Sequence, residues 1–341
     1  MGRTVNADMF IDIEMASEDF DSRTRSSQRQ TILNLYNSAI PTEIISFQLD
    51  ISEEEVENII EEEMKEEEKL SLKGASSPDA SSSMDLFYLD AVVNIDLAIK
   101  HAQNSMWEAL NSEPKFDISM EETEKILEKF AKSKVTLVIL HIDLVDSTKL
   151  SMTLPVDRLS TIIQAFTQEM SLIIEAYGGY ILKYIGDAIL AFFTVNIDHA
   201  YLPCTNAVNC ARSMIRIVQQ GINPILDQYY YPEISVRIGI DVGDQNAVLQ
   251  YGWDIIHTLD NDRQKQTVKR PHYDIIGYTI NVAVKMTGLA KPNRVVIGQL
   301  VYDVLDEKQK SGFEVLNVGT DVWSYVSDKT GGIYSVYGSL S

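Results

Sequence analysis

The chain is short of positive charge. Its 341 residues carry 29 Lys and Arg against 50 Asp and Glu, a formal net charge of −21. A phosphate backbone would be repelled by such a surface, which argues against a nucleic-acid binder. Cysteine is also scarce: only Cys204 and Cys210, in one helix-like stretch, at a spacing that suits neither a zinc knuckle nor a redox pair. Both are expected to be reduced core thiols in a cytoplasmic protein. No apolar run approaches the roughly 18–20 residues that span a bilayer. The opening "MGRTVNADMF" is not a basic segment followed by an apolar one, and Asn6 stands where myristoylation at Gly2 would want Ser or Thr. The expectation is a soluble protein with no membrane partner.

What is present divides the chain by composition. Residues 1–25 are polar and of mixed charge, and are expected to be mobile. Residues 26–70 read as a small all-α unit resembling a helix-turn-helix, with breaks near Pro41 and Asp50 and a Ser52/Glu55 capping box on its third helix. That helix continues into "EEEMKEEEKL", which would repel DNA, so a docking or dimerising bundle with a protein partner is preferred. Residues 71–84 form a Ser/Pro/Gly linker, and residues 85–133 a helical connecting segment with a Ser119/Glu122 capping box.

From residue 134 to 341 the pattern is that of one α+β domain. "KVTLVILHIDLV" reads as a buried strand. The helix that follows carries Leu159, Ile162, Ile163, Phe166, Met170, Ile173 and Ile174 as an apolar stripe. "YILKYIGDAILAFF" reads as a hairpin, a helix is expected over 201–219, and "ISVRIGIDVG" alternates strictly. A helix over 279–290 and the strand "RVVIGQ" complete a ferredoxin-like, antiparallel-containing sheet covered by helices.

Two acids interrupt this apolar pattern. Asp143 ends the first strand and Asp187 sits at the hairpin tip after Gly186. Gly-Asp alone reads as a turn. If the two strands are neighbours, however, the carboxylates are close, and like charges at close range must be protonated or bridged by cations. Divalent metal pairs on oxygen ligands are the apparatus of phosphoryl transfer. Beside Asp143, Ser147 and Thr148 lie in a polar turn whose N–H groups could face an anion.

"ILHIDLVDSTKL", "GGYILKYIGDAILAFF", "VRIGIDVG" and "HYDIIGYTINVAVKM" occur in the order and approximate spacing of the class III adenylate/guanylate cyclase catalytic domain, which residues 134 to about 300 resemble. The resemblance implies that Asp143, Asp187 and the carbonyl of Leu144 hold two divalent cations, Mg²⁺ or Mn²⁺. It implies that Lys183 and Asp274 read the base, Asn281 orients the ribose, and Lys285 takes the place of a transition-state arginine. Adenine offers an amino donor beside a ring acceptor, which suits a lysine and an acid, so ATP is the expected substrate and cyclic AMP the product. The family builds its sites across a dimer interface, which implies a homodimer. A catalytically silent, nucleotide-binding module is the alternative.

Four departures stand out. Lys285 keeps charge but loses the arginine fork. The family's C-terminal phosphate lysine has no clear counterpart, Lys329 being displaced, and Asp146 adds negative charge. The stretch between Gly243 and Tyr273 is long and reads as a loop with a basic cluster, Arg263, Lys265, Lys269, Arg270 and His272. Lys269 or Arg270 is the expected substitute for the missing phosphate lysine.

Overall fold

The computed structural model describes residues 29, 32, 42, 45–46, 51–61, 93–112, 116, 118–195, 200–259, 265–327 and 331–340. The chain forms two compact units, Met1–Leu86 and Phe87–Ser341. The expectations for residues 1–25, the linker 71–84, most of the glutamate run, Arg263 and Lys329 lie outside the described residues. Within the first unit, helix α1 spans residues 53–61. Its Ser52 hydroxyl accepts from the N–H of Glu55 at 3.2 Å, the capping contact expected there. Ile32, Ile45, Val56 and Ile60 form its small buried core.

The second unit opens with α2 (Ile95–Asn111) and α3 (Glu121–Lys129). The expected capping residue Ser119 accepts from the N–H of Glu121, one position earlier than a capping box requires. Then follow β1 (Lys134–Leu144), α4 (Ser147–Thr153), α5 (Val156–Ala176), β2 (Tyr180–Ile185), β3 (Ala188–Thr194) and α6 (Tyr201–Arg216). A π-helical turn (Ile217–Ile222) leads into α7 (Asn223–Gln228). The chain continues through β4 (Val236–Leu259), β5 (Lys265–Gly277), α8 (Tyr278–Leu289), β6 (Arg294–Gly298), α9 (Gln299–Val304), α10 (Glu307–Lys310), β7 (Phe313–Val315) and β8 (Val336–Ser339).

The strands make one sheet in the order β2-β3-β1-β4-β6-β8-β7, with β5 paired to the far part of β4. All pairings are antiparallel except β4 with β6. β1 is buried on both faces from Leu137 to Ile142, as its largely apolar sequence requires. Val138, Leu140, Ile142 and Leu144 join a core with α2, α5, α6 and α7, whereas Leu137 and Ile139 join a second with α3 and α8. The stripe of α5 faces the first core, with Leu159 and Ile163 at its margin. Cys204 and Cys210 are free, fully buried thiols, and burial raises the pKa of both.

The stretch expected as a loop between Gly243 and Tyr273 is instead a β ribbon. β4 runs on past the sheet and pairs with β5 from Asn246↔Gly277 to Leu259↔Lys265. Lys265, Lys269, Arg270 and His272 therefore lie on a strand. Tyr251, Trp253 and Ile255 of this ribbon are exposed. Among the described residues no helix is long and apolar enough to cross a membrane.

Candidate functional site

β1 and β3 run side by side, with Ile142 opposite Ile189. Asp143 is the next residue of β1 and Asp187 immediately precedes β3, so both acids lie at the same end of the sheet. The turn that delivers Asp187 depends on Gly186, whose φ of 65° lies in the left-handed region that favours glycine. Asp187 Oδ2 is buried without a hydrogen-bond partner. Such an atom is costly unless something positive meets it.

Asp143 has a neighbour the sequence reading missed. Arg237 sits opposite it in the β1–β4 register and donates from Nη2 to Asp143 Oδ2 at 2.8 Å. The signal was there: in "VRIGIDVG" the arginine occupies the polar phase of an alternating strand, where a partner is needed. Asp143 and Asp187 fit a hard divalent cation by chemistry, since both donate carboxylate oxygen and one oxygen is unclaimed. No third His, Cys, Asp or Glu joins them among the described residues. Beyond Leu144 the chain turns through Asp146, itself at φ 55°, and Ser147 and Thr148 open the short helix α4.

A second pair lies on the α3 side of the sheet. Lys183 Nζ donates to Asp274 Oδ2, and Asp274 Oδ1 accepts from the N–H of Ile275 at 2.8 Å. Both side chains are partly exposed. The pair offers a base one strong donor and one strong acceptor. The structure thus places Asp143 and Asp187 at one end of the sheet and joins Lys183 to Asp274.

The remaining expected residues are placed separately. Asn281 and Lys285 lie on the exposed side of α8, one turn apart. Lys285 Nζ sits 5.8 Å from the ring centroid of Tyr325, a cation–π contact. Lys269 is exposed on β5. Arg270 Nε is 2.7 Å from Glu124 Oε2, so its charge is directed at α3. That contact has the geometry of an ion pair, not of a hydrogen bond.

Asp241 is a second residue the sequence reading passed over. It is fully buried, accepts from the Tyr334 hydroxyl at 2.6 Å, and leaves its other oxygen without a partner. Burial pushes its carboxyl up to about 7, against the opposing hydrogen bond from Tyr334. The Leu300 N–H donates to the same tyrosine oxygen, and Trp323 Nε1 donates to the Tyr334 carbonyl. This network fastens the C-terminal segment that carries Tyr325.

Residues 263–322 match the family described as the adenylate and guanylate cyclase catalytic domain. The chain is 25% identical over 187 residues to a cytidylate cyclase of Escherichia coli, covering 52% of this chain and 39% of that one. It is 29% identical over 197 residues to a uridylate cyclase of Burkholderia cepacia, covering 57% and 74%. The chain therefore spans about two fifths of the length of the cytidylate cyclase it matches. Among solved structures, the adenylyl cyclase CyaB from P. aeruginosa is 19% identical, with 61% of this chain and 95% of that chain covered and a TM-score of 0.43. The family match lies over β5, α8 and the segment beyond them.

Proposed function

We propose that the protein is a nucleotide cyclase whose substrate base presents, at the ring position of adenine C6 or cytosine C4, an amino donor beside an unprotonated ring nitrogen. The observation that carries this reading is the Lys183–Asp274 pair, held on the same sheet that ends in Asp143 and Asp187. Adenine presents N6–H as donor and N1 as acceptor. Cytosine presents the same pattern through N4–H and N3, whereas guanine and uracil present it reversed. ATP, the substrate expected from the sequence, and CTP therefore fit the pair equally in polarity. CTP gains from the cytidylate cyclase relative, while the uridylate cyclase among the relatives keeps UTP in the test.

In the reaction, the ribose 3′-oxygen forms a bond to the α-phosphorus. The α–β phosphoanhydride bond breaks, pyrophosphate leaves, and the 3′-hydroxyl proton passes to solvent water. Asp143, Asp187 and the Leu144 carbonyl would hold two divalent cations, which supply charge stabilisation at the α-phosphate when bound. Lys183 and Asp274 fix the base and so set the distance from sugar to phosphate. Arg237 is the nearest cation to Asp143 and is placed to meet negative charge gathered there. Asn281 would orient the ribose and Lys285 would face the phosphates. Ser147 and Thr148 would line the phosphate side, and Lys269 and Arg270 remain its more distant candidates. Two copies of the chain, each contributing the exposed side of α8 to its partner's site, would complete two equivalent centres.

The test is chromatographic analysis of products from ATP, CTP, GTP and UTP, each with Mg²⁺ or Mn²⁺, beside Asp187→Ala. A 3′,5′-cyclic product from ATP or CTP, reduced at least about a thousandfold in the variant, supports the reading. Cyclic product from GTP or UTP alone would overturn the base assignment. No product from any of the four, with nucleotide still bound, would favour a silent sensor. The Asp143–Arg237 ion pair and Lys285 are the observations on that side.

A further inference from the structure

Lys183 and Asp274 lie 91 residues apart on strands that are not neighbours. From β2 to β5 the sheet takes four steps, through β3, β1 and β4. In a flat sheet at about 4.8 Å per step those strands would stand about 19 Å apart. A lysine side chain reaches only about 6 Å. The contact therefore depends on the ribbon folding back over the sheet, and something must hold it there.

We infer that α3 sets the geometry of the base-reading pair, with Thr123 and Glu124 as positioning residues. This rests on the reading of Lys183 and Asp274 as base readers. Four observations converge on it.

On β2, Ile181 pairs with Ala191 and Lys183 with Leu190, which leaves Leu182 as an extra residue just before the lysine. Such a bulge re-aims the side chain that follows it. Thr123 Oγ1 donates to the carbonyl of Ile181 at this bulge, buried and at 3.0 Å. On the ribbon, Gln250 pairs with Tyr273 and Gly252 with His272, so the extra residue Tyr251 lies opposite the Tyr273–His272 step, next to the pair that adjoins Leu249 and Asp274. Glu124 Oε2 meets Arg270 on that same strand at 2.7 Å.

Between these polar contacts, Ile126 and Leu127 pack in one cluster with Leu182 and Ile275. Those two are the chain neighbours of Lys183 and Asp274. Past the helix, the N–H of Lys132 donates to the carbonyl of Val248, and Ala131 bridges to the same residue. Val248 precedes Leu249, the register partner of Asp274. One nine-residue helix thus touches both reading strands beside both readers. It is also the last helix before the first strand of the sheet.

The experiment compares wild type with Thr123→Val, Thr123→Ser and Glu124→Gln. The readout is the ratio of kcat/KM for ATP and CTP, whose pairing edges present an amino donor beside a ring acceptor, to that for GTP and UTP. Thr123→Val should lower this ratio about tenfold, chiefly through KM, and Thr123→Ser should restore it. Glu124→Gln should lower it about threefold. A folded Thr123→Val protein with the wild-type ratio would overturn the proposal. If that variant does not fold, Glu124→Gln decides, because its ion pair is partly exposed and its loss leaves the core intact. Hydrogen exchange supplies a reading independent of turnover. Segments 181–185 and 270–276 should exchange faster together in either variant, and unchanged exchange in both would overturn the coupling. A wild type that cyclises no nucleotide would sink the cyclase reading alone, leaving hydrogen exchange to judge the helix.

Discussion

One strand shows two kinds of surface. On one side of the chain from Ile234 to Val242, the residues Ile234, Val236, Ile238, Ile240 and Val242 are all buried in the core shared with α5 and α6. On the other side stand Arg237, Gly239, Asp241 and Gly243, facing α8, the C-terminal segment and the acid at the end of β1. The first side needs only the right volume, and aliphatic side chains fill it. The second needs particular atoms: a charge for Asp143, no side chain beneath α8, an acceptor for Tyr334. Packing tolerates approximate solutions, whereas specific contacts do not.

Substitutions on the two sides sharpen that contrast. The largest effect is expected at Gly239, where an added Cβ would meet the Ala283 carbonyl oxygen at 2.2 Å and the Thr287 backbone nitrogen at 2.7 Å. Backbone cannot swing aside, so α8 must leave the sheet. Gly239→Ala should cost more than about 4 kcal/mol, seen as loss of the cooperative thermal transition. Next is Ile240→Ala on the apolar side, which should cost about 2–5 kcal/mol in urea unfolding while leaving the transition cooperative.

Asp241 should appear in the pH dependence of stability. Its native carboxyl is raised to about 7 by burial, so between roughly pH 4 and 7 the native state binds more protons than the unfolded chain. Stability conferred by the protonated form is therefore full at low pH and is lost as pH rises through that window. Urea titrations from pH 4.5 to 8 should show this decline in wild type and its absence in Asp241→Asn. The smallest effect is expected for Arg237→Gln, whose ion pair is partly exposed: about 1 kcal/mol in the same assay.

The apolar side of this strand was legible in the sequence because alternation at period two has one physical meaning. So was the hairpin at Gly186-Asp187, where positive φ and a neighbouring strand follow from the residues. The ribbon was not legible. Gly243, Asp244 and Gly252, followed by a basic cluster and Pro271, resemble a loop, because a two-stranded arm lacks the buried face that would impose alternation. The helix expected over 201–219 instead passes through a π turn to Gln228. Gly221 and Pro224 read as a stop, yet Pro224 lies in the first turn of α7, where its missing N–H costs nothing. Arg237 and Asp241 could be seen as polar intruders in a strand, but only the register names their partners.

β4 is a single strand of 24 residues. Laid straight it would measure about 80 Å. Its near end carries Arg237 against Asp143, and its far half carries the pairing for Asp274 and the exposed Trp253. A strand is stiff when pulled along its length, since its backbone is already extended. One continuous backbone joins the acid end of the sheet to the ribbon, and the bulge at Tyr251 and the fold-back are the places where it can bend.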